Sequence, residues 1–112
     1  MMMANLLFSL LIGVIFVLAG IIMKVKPPTK INPLYGYRTF RSMKNEKLWN
    51  EANTYSAGLM MKYGAAMAVI GGVLSLLIKN EQAGVFATMG VMLLFIILLF
   101  VKVEKWLKEI DR

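Results

Sequence analysis

The chain has 112 residues, 59% of them hydrophobic and 17% charged, with a formal net charge of +7 and neither cysteine nor histidine. That apolar share lies well above the soluble-domain range, so the chain is expected to be one all-α membrane domain over residues 1–112. Without cysteine there is no disulfide or thiol site, and without histidine the commonest general base and metal ligand is missing. Composition therefore argues against an enzyme, a metal centre or a cofactor.

From Met2 to Met23 the chain carries no charge and is rich in Leu, Ile, Val and Phe. This is enough to cross about 30 Å of hydrocarbon. Lys24 and Lys26 close this first span, expected at about 4–25, and Pro27-Pro28 ends its helix. A cleaved signal peptide is disfavoured, because no basic region precedes the apolar run and no small-residue cleavage site follows it.

Pro27 to about Lys44 shows neither helical nor alternating periodicity, which makes it a connector long enough to suggest a purpose. Asn32-Pro33 and Tyr35-Gly36-Tyr37 carry turn chemistry, and Gly36 is free to adopt a positive φ that would turn Arg38 and Thr39 towards a partner. Ser42 or Asn45 can cap the next helix, with Glu46 in its first turn. No proline follows, so a helix from Asn45 to Ile78 would run roughly 50 Å, more than a bilayer needs, and its first turns are expected to project or to bend at Gly58 or Gly64. Leu48, Trp49, Ala52, Tyr55, Ser56 and Leu59 recur at helical spacing and read as an interfacial ramp into a second span at about 55–78.

Lys79-Asn80-Glu81-Gln82 reads as a tight polar turn before a third span at 83–101. In the charged tail, Val103, Trp106, Leu107 and Ile110 are expected to lie along the inner membrane interface, with Lys105 and Lys108 in water. Lys24, Lys26, Lys30, Arg38, Arg41, Lys44 and Lys47 fall in or beside the first connector. Lys102, Lys105, Lys108 and Arg112 fall in the tail, but only Lys79 lies in the second turn. The positive-inside rule then places the N-terminus outside and the long connector and C-terminus in the cytoplasm. The same topology explains the basic charge without nucleic acid.

Small residues recur at Ser9 and Gly13, at Gly64, Ala68 and Gly72, and at Gly84, Ala87 and Gly90. They suit close packing within one chain or across a homo-oligomer seam. Lys62 is the only charge inside a span. It reads as a lysine snorkelling to the headgroups or as part of a polar pocket with Asn53 or Glu51.

The stretch from Asn32 to Asn53 stands apart as polar, basic and aromatic. Its Asn-Pro-x-x-Gly-x-Arg-Thr run at Asn32 to Thr39, followed by Asn45, Trp49 and Asn53, resembles the SdpI-type family of small bacterial membrane proteins. That family includes an immunity protein against a secreted killing peptide. The resemblance implies a multi-pass protein of the cell membrane and marks Asn32, Gly36, Arg38, Thr39, Asn45, Trp49 and Asn53 as the binding motif. It also implies an immunity or signalling module that recognises a toxin peptide or protein partner through its basic, aromatic cytoplasmic loop. With three spans the chain corresponds to the family module alone. Arg38 suits a bidentate contact to a carboxylate or phosphate, with Thr39 and Asn53 completing a polar shell. In the competing structural reading Arg38 bonds loop carbonyls, Trp49 anchors at the headgroups and Asn45 caps a helix. The alternative function is a small transporter or lipid-interacting envelope protein, for which Lys62, Thr88, Ser75 and Ser9 are the polar candidates. Expected partners are membrane lipids, a peptide or protein and a second copy, with no nucleic acid.

Overall fold

The computed structural model describes residues 2–28, 30–32 and 34–111; Pro33 of the expected turn and Arg112 of the tail lie outside them. The described residues form three helices and no strand: α1 (Met2–Val25), α2 (Glu46–Leu77) and α3 (Glu81–Ile110). Each is long and apolar enough to cross a membrane. The protein is therefore the expected all-α, three-span, multi-pass membrane protein. Along its longest axis the chain measures 49 Å, well beyond about 30 Å of hydrocarbon.

The capping signal at Asn45 is realised, and the structure adds a second cap at Asn80. Asn45 accepts from the Leu48 N–H at 2.9 Å to start α2, and Asn80 accepts from the Ala83 N–H at 3.1 Å to start α3. The polar turn is thus shorter than Lys79 to Gln82 suggests, because Glu81 and Gln82 already belong to α3. Helix α2 continues without interruption through Gly58 and Gly64.

Helices α1 and α2 meet backbone to backbone. A methyl group added at Gly13 would lie 2.6 Å from the Ala68 Cβ and the Gly64 carbonyl oxygen, and one at Gly64 would lie 2.7 Å from the Gly13 oxygen. Gly20 faces Ala57 and Met61, and Gly71 faces Ser9, so the small-residue face is filled within the chain. In hydrocarbon there is no water to expel from between two helices, so close van der Waals approach must hold them. On α3 only part of the small stripe takes part: Gly84 abuts Asn5, whereas Gly90 meets open space.

Helices α2 and α3 pack differently. Leu48, Ala52 and Tyr63 of α2 form a cluster with Leu99, Val103 and Leu107 of α3, joined by Tyr37 of the connector. Here the tail departs from its expected place on the membrane surface. Val103 and Leu107 are both 0% exposed, and Trp106 stacks on Tyr55 with ring centroids 5.9 Å apart. The antiparallel α2–α3 hairpin sets the first turns of α2 beside the last turns of α3. Each apolar stripe therefore finds a protein partner before it needs lipid.

Lys62 is exposed, and Asn53 lies nine residues earlier, about 180° away around α2. Glu51 shares the Lys62 face but is about 16 Å away along the axis. The expected polar pocket of Lys62 with Asn53 or Glu51 is not formed, and an exposed side chain suits the snorkelling alternative.

Candidate functional site at the connector

The connector folds over the end of the bundle where α1 stops and α2 and α3 continue. Its first fixed point is Asn32, whose side-chain oxygen accepts from the Leu34 and Tyr35 N–H groups at 3.0 and 2.7 Å. Its amide donates to the Lys30 carbonyl at 3.0 Å. This Asx turn lets the Tyr35 hydroxyl donate to the Lys26 carbonyl at 2.7 Å, tying the loop to the end of α1.

Gly36 then adopts φ +109°, the one positive φ among the described residues. A side chain here would also collide with Asn53, whose Oδ1 would be 2.5 Å from the added carbon, and with Pro28 at 2.8 Å. Glycine is required on both counts. The bend delivers the Tyr37 N–H to Asn53 Oδ1 at 2.7 Å, while the Asn53 amide donates to the Trp49 carbonyl at 2.8 Å. Trp49 is 0% exposed and Asn53 2%. The indole N–H of Trp49 donates to the Pro28 carbonyl at 2.5 Å.

These contacts correct two expectations. Trp49 is no headgroup anchor; it is the buried post to which the chain after α1 is fastened. Asn53 does not complete a shell around Arg38, because both of its amide atoms hold backbone. A buried asparagine bonded in this way satisfies main-chain groups that would otherwise be stranded at a dry end of the bundle.

Beyond Tyr37 the chain makes a second closed turn. The Thr39 N–H donates to Ser42 Oγ at 2.8 Å, and the Ser42 N–H donates to Thr39 Oγ1 at 3.2 Å. Ser42 is 0% exposed, with its hydroxyl within reach of the Tyr37 and Thr39 carbonyls at 3.1 Å. Thr39 therefore serves the turn. Arg38 is exposed.

Helix α3 holds this turn by charge. The Tyr37 hydroxyl donates to Glu104 at 2.9 Å, and Arg41 lies 3.6 Å from both Glu104 and Asp111. Lys44 contacts Asp111 at 2.9 Å. Burial, and the Glu104 carboxylate beside it, push the Tyr37 phenol far above its usual range. Lys44, chiefly through its hydrogen bond, holds the Asp111 carboxyl below its usual value, with Arg41 adding to the effect.

A pocket of about 290 Å³ opens below the Gly36 bend, lined by Gly36, Tyr37 and Arg38 together with Met23 of α1, Ser56 and Met60 of α2, and Phe100 of α3. All three helices and the motif meet there. Sequence reasoning missed the roles of Pro28, Tyr37, Ser42 and Glu104 in holding the connector. The Thr39-x-x-Ser42 spacing was a usable signal for the turn. Glu104 stood out as a lone acid among Lys102, Lys105 and Lys108.

At the opposite end, Ser9 Oγ and Thr88 Oγ1 lie 3.3 Å apart, and Asn5 donates to the Glu81 carbonyl at 3.3 Å. Asn5, Ser9 and Ser75 are each 1% exposed. The polar span residues thus join helices to one another, and Ser75 bonds its own helix at the Gly72 carbonyl.

No solved structure matches the chain. A Bacillus subtilis (strain 168) protein described as "Uncharacterized protein YfhL" is 52% identical over 59 residues. The match covers 53% of this chain and 54% of that protein, so this chain spans about half the length of the curated relative it matches. The family model described as "SdpI/YfhL protein family" matches residues 29–102, which takes in the whole motif, the second and third spans and the Gly36 pocket apart from Met23. The chain belongs to the SdpI/YfhL protein family.

Proposed function

We propose that this protein is a membrane immunity or signalling module that recognises a peptide or protein partner through its connector, which faces the cytoplasm. Family membership supports the immunity-type reading, and the concentration of lysine and arginine at the connector end supports the orientation. One observation carries the proposal. The Gly36 bend and the buried Trp49 and Asn53 fix the backbone so that Arg38 joins the lining of a pocket walled by Met23, Met60 and Phe100. A pocket that combines methionine and phenylalanine walls with an arginine in its lining suits a membrane-associated segment carrying an apolar side chain next to a carboxylate. This reading assigns the protein no catalytic role.

The test is photo-cross-linking from Met60 in native membranes, comparing the wild-type loop with Arg38→Ala. A peptide or protein captured with Arg38 present and lost without it supports the module and gives the partner's identity. Capture of lipid alone, equal in both, sinks the proposal and favours the lipid-interacting alternative. That second reading draws on Met23 and Phe100, which line the pocket at the ends of two spans.

A further inference from the structure

Phe40 is 100% exposed, although it sits in the most tightly bonded turn of the connector. The reciprocal Thr39 and Ser42 bonds fix the backbone on either side of it, and Arg41 and Lys44 tie the same turn to Glu104 and Asp111. The ring is therefore presented by a braced turn. Open grooves of about 480 and 800 Å³ flank it, the first reaching Arg41 and Glu104 and the second reaching Arg38 and Met43. Met43 is also exposed, at 38%.

We propose that the Phe40 turn is a membrane-surface anchor that inserts its aromatic side chain among the headgroups of an anionic phospholipid leaflet. Three observations favour lipid as the occupant. The turn sits at the right height, because Tyr37 packs on Phe100 with ring centroids 5.3 Å apart and Arg41 reaches Glu104. Phe100 and Glu104 straddle the point where the uncharged run of α3 ends at Lys102, within about one helical turn of the hydrocarbon boundary. The charge also matches. Arg38, Arg41 and Lys44 lie in or beside the grooves around the ring, with Glu104 and Asp111 facing them, which leaves a local excess of basic charge, and basic residues beside an apolar tip are drawn to anionic headgroups. Finally, an aromatic ring flanked by cations suits the interface better than bulk water, where an exposed phenylalanine gains nothing. The anchor would also hold Arg38 at a fixed depth.

The chain has no cysteine, so a single nitroxide label can be placed at Phe40→Cys in the full protein reconstituted into bilayers. Lys108→Cys serves as the water reference and Ile97→Cys as the lipid reference, both positions being exposed. In bilayers containing phosphatidylglycerol, collisions with a water-soluble nickel chelate should fall several-fold at position 40 relative to position 108. Purely zwitterionic bilayers should restore part of that access. A Phe40→Trp variant in a Trp106→Phe background provides a second reading through quenching by brominated lipid, since Trp49 is buried. Its fluorescence should be quenched more in anionic bilayers. Nickel access equal to that at position 108 in both bilayers, together with no quenching, would overturn the proposal. Protection seen only in native membranes, and not in reconstituted anionic bilayers, would also overturn it and assign the turn to a protein partner.

Discussion

The two helix seams of this bundle follow opposite rules. Between α1 and α2 the contact is made by the absence of side chains: Gly13, Gly20, Gly64 and Gly71 let one helix settle against the other. Between α2 and α3 it is made by their presence, with Leu48, Tyr63, Leu99, Val103 and Leu107 interlocked around Ala52. The difference follows the solvent. The first seam lies within the spans, where apolar side chains gain little by leaving lipid for protein. Much of the second lies in the extensions beyond the spans, where removing apolar surface from water is strongly favourable.

The largest expected effect tests the second seam. Leu107→Ala removes a side chain with 0% exposure and should lower stability by about 2–5 kcal/mol. It should also free the Phe40 turn, as read by reversible denaturation in bicelles and by hydrogen exchange over residues 37–44. Next comes enlargement of the first seam. Gly64→Ala brings a methyl group against the Gly13 backbone and should cost about 1–3 kcal/mol. Gly90→Ala, which meets nothing within 4 Å, should stabilise by up to about 1 kcal/mol. If both glycine changes behaved alike in the same denaturation assay, the contrast between the seams would collapse.

A smaller effect is expected where the connector joins the second seam. Tyr37→Phe removes the hydroxyl that donates to Glu104 and should cost about 1 kcal/mol. It should also alter the alkaline limb of the stability profile. The Tyr37 phenol is raised in the folded protein, so its contribution is complete below the unfolded value of about 10 and declines as pH rises above it. The variant should lose that part of the decline. The smallest effect belongs to Lys44→Gln. Because Asp111 is depressed chiefly by Lys44, its contribution is present above the unfolded value of about 3.9 and is lost as pH falls through the folded value. The variant should move the Asp111 carboxyl titration, followed by NMR, towards the ordinary range while stability barely changes, as expected for a pair open to water.

Much of this was legible because membrane solvation is a demanding constraint. Three uncharged runs, a cap at Asn45 and a glycine with reason to turn led directly to the helices, the start of α2 and the Gly36 bend. The tail was read less well. Val103, Trp106, Leu107 and Ile110 form an amphipathic stripe whether the facing surface is lipid or α2, and helical periodicity is identical in the two cases. Trp49 was misplaced for a related reason. A tryptophan near a span end commonly marks the interface, and only the return of Pro28 over it makes it a buried post.

The sequence alone determined that this protein crosses a membrane three times, where α2 begins, and which stretch departs from what lipid requires, because each of these depends on local composition and spacing. Tertiary structure decided which members of that stretch face inward. Asn53, Trp49 and Pro28 come together only when α2 carries its first turns back past the end of α1, and Glu104 meets Tyr37 only because α3 returns alongside. Those contacts join residues 16 to 67 positions apart, a separation over which local pattern carries no information about which side chain will meet which.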